Sequence, residues 1–186
     1  MKRNGEGGRM RIETERLILR EMTAEDLPAL REILQDAEVM YAYEHAFSEQ
    51  EVIQWFENQL RRYRENRFGL WAVVLKSSGK MIGQCGLTYQ DFNGRSVVEV
   101  GYLFQKAFWH KGYAAESAQA CKRYAFDVLG KAEVYSIIRD NNIASQRVAM
   151  KNGMQPCGRI IKHYYGVDMP HIVYCVKADA GSFQNS

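Results

Sequence analysis

Apolar and polar positions along the chain change period several times, and each change marks an element. Leu17, Ile18 and Leu19 form a short apolar run, read as a strand. Thr23 follows as an N-cap, with Asp26 in the first turn and Leu27, Leu30 and Leu34 at helical spacing behind it. Ser48 and Glu51 frame a capping box, in which hydroxyl and carboxylate each satisfy the other residue's backbone N–H. Val52, Phe56, Leu60 and Tyr63 continue one face of that second helix.

The middle of the chain shifts to runs rich in β-formers: 68–75, 81–89 and 96–104. The turns between them lie at 77–80 and 91–95, the second carrying the Asn93-Gly94 hairpin signal, so the three runs predict an antiparallel meander. A helix is predicted over 112–129, with Ala114, Ala118, Cys121, Ala125 and Val128 on one stripe and Gly130 closing it. A strand at 132–139 and a short helix at 142–152, stopped by Gly153, come next; strands at 154–162 and 170–177 complete the chain. The order βααβββαβαββ predicts an α+β fold, a mixed and mostly antiparallel central sheet with helices on both faces. Residues 11–179 read as one domain, 1–10 as a flexible lead-in and 180–186 as a loose tail.

Composition narrows the function classes. A length of 186 residues with 46% hydrophobic residues supplies one sizeable core. Net charge is only +3, which gives nucleic-acid binding no support. The local cluster Arg61, Arg62 and Arg64 reads as a solvated helix face. No apolar run approaches the ~20 residues of a membrane helix, and the first residues lack the apolar segment of a secretory signal. Cys85, Cys121, Cys157 and Cys175 form no C-x-x-C pair, and they predict free thiols in a reducing, cytoplasmic setting. The four histidines make no metal-ligand spacing, so no metal is expected.

The stretch from Glu99 to Glu116 carries the most chemistry. An apolar run feeds a short basic link, and Gly112 opens a helix of small residues. Backbone N–H groups at a helix start lack partners, and the helix dipole favours an anion there. Gly112 permits close approach, and Ala114 and Ala115 keep the first turn narrow enough for a diphosphate. A second helix start follows the next strand, with Asn142 as N-cap and Ser145 at N3. G-x-G-x-x-G and G-x-x-x-x-G-K-[ST] signatures are absent, which counts against dinucleotide and nucleoside-triphosphate sites.

These two segments, EVGYLF…FWHKGYAAESAQACKRYAF and NNIASQRVAMKNGM, resemble the GNAT acyltransferase superfamily, and within it the RimJ/RimL branch. The resemblance runs over nearly the whole domain. It implies an acetyl-CoA-dependent N-acetyltransferase whose fourth and fifth strands splay apart. The pyrophosphate would sit at Lys111, Gly112, Tyr113, Ala114 and Ala115. The pantetheine arm would pair with the backbone at Tyr102, Leu103 and Phe104, Asn142 would bond that arm, and Ser145 would lie near the thioester sulfur. Trp109 stands where the broad superfamily has Gln or Arg. Ala149 occupies the place of the tyrosine that serves many members as general acid, so no tyrosine acid is carried over. Met154 replaces the usual Phe of the G-F pair.

Attack of an amine on a thioester needs a deprotonated amine, a polarised carbonyl and a leaving thiolate that gains a proton. Glu99, between Val98 and Val100, is the candidate base, since burial among valines raises a carboxyl pKa. Its alternatives are an exposed charge or a partner for a buried arginine. A backbone N–H near Leu103 would polarise the carbonyl, and Ser145 would protonate or orient the sulfur. The acceptor site is expected from variable segments, with Tyr43, Glu44, Tyr89 and Tyr165 as candidates. The acceptor is a protein N-terminal α-amine or a small-molecule amine, and a homodimer is compatible with the family. The competing reading is a non-catalytic acyl-CoA-binding or regulatory module of the same fold.

Overall fold

Gln84 and Cys85 are neighbours on one strand, yet they touch helices on opposite sides of the sheet. The Trp55 indole N–H donates to Gln84 Oε1 at 2.9 Å, and Cys85 Sγ lies 3.5 Å from Cys121 Sγ. Side chains alternate faces along a strand, so the helices carrying Trp55 and Cys121 must flank the sheet from both sides. The computed structural model describes residues 10–164 and 166–178. The tail, all of the lead-in but Met10, and Tyr165 lie outside the described residues.

The elements run β1 (Arg11–Glu13), β2 (Leu17–Arg20), α1 (Leu27–Leu34), α2 (Glu49–Asn66), β3 (Leu70–Leu75), β4 (Met81–Phe92) and β5 (Arg95–Phe104). Then come α3 (Tyr113–Asp127), β6 (Glu133–Arg139), α4 (Ile143–Lys151), β7 (Gln155–Tyr164) and β8 (Val167–Lys177). They build an eight-stranded sheet in the order β1-β2-β3-β4-β5-β6-β8-β7. The expected order had seven strands. The eighth is β1, whose Ile12 pairs with Leu19 and is buried; three residues are too few for a period to show. The strand expected from Pro170 begins three residues earlier, and Pro170 sits opposite Ile161, one residue past the end of the β6 ladder.

Thr23 is an N-cap as expected, but the turn it opens is 3-10 rather than α-helical. Arg20 grips the Asp26 carboxylate with both Nη atoms, at 2.7 and 2.8 Å, and the Thr23 N–H donates to the same carboxylate at 2.8 Å. These bonds hold residues 24–26 as a 3-10 turn, and α1 begins at Leu27 with Pro28 in its first turn. The Ser48–Glu51 capping box forms as expected and starts α2.

The centre of the sheet is covered twice. On one face Leu70 N–H donates to Gln59 Oε1 of α2 at 3.0 Å, and the Tyr63 hydroxyl bonds the Leu70 carbonyl. On the other, Trp71 meets Tyr124 of α3 edge-on with ring centroids 5.3 Å apart. Double coverage explains why successive residues of β3 and of the first two thirds of β4 are buried rather than alternately exposed.

Every neighbouring pair is antiparallel except β5 and β6. Those two run parallel and share a single registered pair, Glu99 with Tyr135. Past it the strands part, as the family resemblance implied.

Close packing at the strand crossing generates one prediction. A Cβ at Gly86 would stand 2.0 Å from the Gly69 carbonyl oxygen and 2.7 Å from Leu70 Cα, both backbone atoms that cannot turn aside. Gly86→Ala is expected to lower stability by about 3 kcal/mol or to prevent folding. Gly101→Ala, whose Cβ meets only Leu70 Cδ2 at 3.7 Å, is expected to stay near wild type. Urea midpoints of the two variants check the contrast.

Candidate active site

Where β5 and β6 part, a cleft of about 410 Å³ opens. Gly101, Tyr102 and Leu103 of β5 form one wall, and Ile137, Ile138 and Arg139 of β6 the other. Asn142 and Ser145, at the start of α4, close one end. The opposite end is built from α2, β4, β7 and β8, with Arg62, Thr88, Gln90, Lys162 and His171 exposed to the cavity. Tyr43, Phe47 and Trp55 line its rim and touch one another in edge-on contacts of 5.7 to 6.3 Å.

Glu99 stands at the fork. Its Oε1 accepts the Ile137 N–H at 3.0 Å and its Oε2 accepts the Thr88 hydroxyl at 3.4 Å. The carboxylate thus takes a backbone donor of β6 on the side where β5 has withdrawn. Glu99 is half-buried and lines the cleft. Burial pushes its carboxyl pKa up, against the opposing pull of Lys162, the Ile137 N–H, Thr88 and Arg62.

The α4 end is tightly organised. Asn142 Oδ1 caps the helix by accepting the Ser145 N–H at 3.0 Å, which leaves its amide NH₂ group as a donor on the cleft side. The Tyr102 hydroxyl donates to the Ser145 carbonyl at 2.9 Å, and burial raises its pKa. The Ser145 hydroxyl makes no hydrogen bond among the described residues. Ala149 is buried in the core at 2% exposure, so no side-chain acid comes from that position.

A second polar feature lies beyond the end of β5. Gly112 has φ +83° and is the N-cap of α3, a conformation glycine adopts without strain. The first α3 bond runs from the Glu116 N–H to the Gly112 carbonyl, at 3.0 Å. Helix geometry therefore leaves the amides of Tyr113, Ala114 and Ala115 without intrahelical acceptors. Arg16 stands against this turn. It donates to the Lys111 carbonyl at 2.9 Å, pairs with Glu116 at 2.7 Å and covers the Tyr113 ring at 4.5 Å. Lys111 itself bends back to the Ala107 carbonyl at 3.0 Å.

Not every predicted residue joins the cleft. Tyr102, Leu103, Asn142, Ser145, Glu99 and Tyr43 do. The Phe104 side chain is buried in the core, at 5% exposure. Tyr89 turns away: it lies between Thr88 and Gln90, which face the cleft, and instead packs on Phe68 at 5.0 Å and receives Lys131 Nζ at 3.3 Å. Glu44 does not line the cleft; its carboxylate pairs with Arg139, which does.

The chief omission is Arg62, which the arginine cluster had disguised as a solvated face. Trp55, Gln59 and Arg62 recur at i, i+4 and i+7, a polar stripe beside the apolar one, and that spacing was the available signal. Arg62 donates to Gln59 Oε1 at 3.2 Å, and Gln59 is fully buried and bonded to β3. Lys162 and His171 come from two strands with no local motif. His171 Nδ1 lies 2.7 Å from the Met169 carbonyl, which assigns the ring proton there and leaves Nε2 as an acceptor. Burial, with Lys162 and Arg139, lowers its pKa against the Met169 bond and Asp140. Among the described residues no group of three His, Cys, Asp or Glu side chains is placed to hold a metal ion.

The pattern described as an acetyltransferase (GNAT) domain matches residues 16–155. YkkB of Bacillus subtilis (strain 168) is 33% identical over 145 residues, covering 77% of this chain and 84% of that protein. YnaD of the same organism, named an N-acetyltransferase, is 31% identical over 147 residues, covering 78% and 83%. A GNAT-family acetyltransferase of Bacillus anthracis superposes with a TM-score of 0.78 at 24% identity, over 90% of this chain and 98% of that one. RimL, a ribosomal L7/L12 α-N-protein acetyltransferase solved with coenzyme A, shares the fold with a TM-score of 0.74 at 17% identity, over 92% and 99%.

The chain belongs to the GNAT acetyltransferase family. It is an acetyltransferase, and the fold uses acetyl-CoA. The residues present fit that group: a positive-φ glycine, free helix amides with Arg16 alongside, and a parted strand edge leading to a polar cleft.

The raised pKa of Glu99 makes a stability prediction. The folded value lies above the unfolded one, so the group's contribution is favourable below about pH 4 and is lost as pH rises through the folded value. Ionised Glu99 therefore costs stability at neutral pH. Glu99→Gln, which keeps an acceptor for the Ile137 N–H, is expected to raise the thermal midpoint at pH 7.5 and to change it little at pH 4. Scanning calorimetry at both values checks the sign.

Proposed function

We propose that the cleft transfers an acetyl group from acetyl-CoA to a primary amine by direct attack, with Glu99 as the base. One observation carries the reading. A half-buried carboxylate with a raised pKa stands at the single point where two parallel strands diverge into a polar cleft. Bound acetyl-CoA supplies the activated acetyl group.

In this reading the Tyr113, Ala114 and Ala115 amides and Arg16 hold the pyrophosphate, at a helix start that favours anions. The exposed edge of β5 at Tyr102 and Leu103 lies along the pantetheine arm, and the Asn142 NH₂ group donates to it. Glu99 takes the amine proton, either directly or through one water. A β5 backbone N–H near Leu103 polarises the carbonyl. The Ser145 hydroxyl lies at the sulfur end and orients or protonates the thiolate in place of the missing acid at position 149, while the Tyr102 hydroxyl holds the Ser145 carbonyl. The acceptor enters past Tyr43 and the aromatic rim.

Two measurements test the proposal. Gly112→Glu sets bulk and negative charge against the phosphates and is expected to weaken coenzyme A binding at least about 30-fold by calorimetry. Gly112→Asn, which tolerates the same backbone angles, separates that loss from misfolding. Glu99→Gln is expected to lower kcat/KM about 100-fold at pH 7 and progressively less as pH rises and the amine deprotonates by itself. A pH–rate profile parallel to wild type would remove Glu99 as base. Coenzyme A binding without thiol release from any amine would favour the non-catalytic module.

A further inference from the structure

The acceptor half of the cleft contains more positive charge than its own groups neutralise. The charged side chains lining the cleft are Glu99, Arg62, Arg139 and Lys162. Arg139 is paired with Glu44. Arg62 and Lys162 have no carboxylate within ion-pair distance among the described residues. Arg62 makes one side-chain hydrogen bond, to the neutral amide of Gln59. Both are half-buried, and burial dominates the lowering of the Arg62 pKa, with Arg61 adding to it and Glu99 opposing it.

Glu99 offsets only part of that charge: it attracts both Lys162 and Arg62 without pairing with either, so two cations face one carboxylate. Its oxygens are engaged by the Ile137 N–H and the Thr88 hydroxyl. An unpaired charge in a half-buried wall is costly, and more so when two of one sign share a small cavity. Arg62 is moreover held in place by Gln59, which is fixed in turn to the Leu70 N–H, so its guanidinium is pre-positioned rather than free to leave for solvent. His171, neutral and offering an acceptor nitrogen, adds no competing anion.

We infer that the acceptor is an anionic amine: a small molecule carrying a carboxylate or phosphate within a few bonds of the amino group that Glu99 deprotonates. This rests on the acetyltransferase reading above. Arg62 and Lys162 receive the anionic group, which an arginine fork and a lysine point charge both suit. The amino group then lies toward Glu99, at the mouth of the parted strands. An ordinary peptide N-terminus offers a neutral amide where the anion is required. A plain alkyl amine or a polyamine brings only positive charge toward two cations.

The test is thiol release from acetyl-CoA with matched acceptors: α-amino acids, aminoalkyl phosphates, the corresponding amino-acid amides, and diamines. The carboxylate or phosphate set is expected to exceed its neutral counterparts roughly 10- to 100-fold in kcat/KM, chiefly through KM. Which of the two anionic sets wins identifies the anion. Arg62→Gln and Lys162→Gln are expected to shrink that ratio about ten-fold, and Lys162→Glu to shift preference toward diamines. Amides or diamines turned over as well as their anionic partners would overturn the inference and leave the acetyltransferase standing. Equal losses on charged and neutral acceptors in Arg62→Gln and Lys162→Gln would also overturn it. A protein that binds coenzyme A and acetylates nothing would overturn the acetyltransferase reading itself, and this inference with it.

Discussion

The parting of β5 and β6 after one registered pair is the constraint on which the rest of the structure depends. Two neighbouring strands normally satisfy each other's backbone groups, and a gap between them leaves donors and acceptors facing empty space. Here the gap is stabilised by side chains. Glu99 accepts the Ile137 N–H, and the Ser136 hydroxyl donates to the Val100 carbonyl at 3.0 Å. These bonds replace part of the missing ladder and place a carboxylate at the fork. The structural duty of Glu99 and its proposed chemical duty thus arise from one position.

The gap can persist because the strands on both sides of it are held firmly. β5 is zipped to β4 over its whole length, from Phe92 opposite Arg95 to Gly83 opposite Phe104. β6 is zipped to β8 over seven pairs. The β3–β5 side is buttressed by helices, with α2 and α3 gripping opposite faces around Leu70 and Trp71. The helix that opens at Gly112 is tied to the far edge of the sheet through Glu116, whose carboxylate receives the Thr14 hydroxyl at 2.6 Å and the Arg16 N–H at 2.9 Å. Arg16 is therefore both a structural anchor and the cation beside the free amides. Burial acts to raise the Glu116 pKa, yet its bonds to Thr14 and Arg16 outweigh that and hold it lowered.

The elements that set the fold were legible because each had a local cause. The Ser48–Glu51 capping box started α2, the Asn93-Gly94 turn joined β4 to β5, and Gly112 opened α3. Glu99 stood out because a charge between valines is conspicuous within a strand. What stayed hidden depended on contacts far apart in the chain. β1 is too short to show a period and exists through its pairing with β2. Arg62 was masked by its basic neighbours, and only the packing of α2 on β3 turns it inward. Lys162 and His171 reach the cleft that Arg62 lines through the β7–β8 hairpin, which no local pattern can reveal. Tyr89 failed for the converse reason, since composition suggested an aromatic grip but the two-residue alternation of β4 turned it to the other face.

Electrostatics divides the proposed site into two halves. In the proposal, the α3 end offers helix amides and Arg16 to a diphosphate, while the other end holds Arg62 and Lys162 in the same cleft as the Glu99 carboxylate, whose pKa burial raises against their pull. In the proposed mechanism the split between β5 and β6 receives the acyl-bearing arm. A crystal structure of the protein with acetyl-CoA tests it most directly. Density for the arm is expected along Tyr102 and Leu103, with the diphosphate on the Tyr113–Ala115 amides and the acetyl group next to Glu99. A cofactor bound elsewhere on the surface, with the split closed or filled by the protein's own side chains, would contradict it.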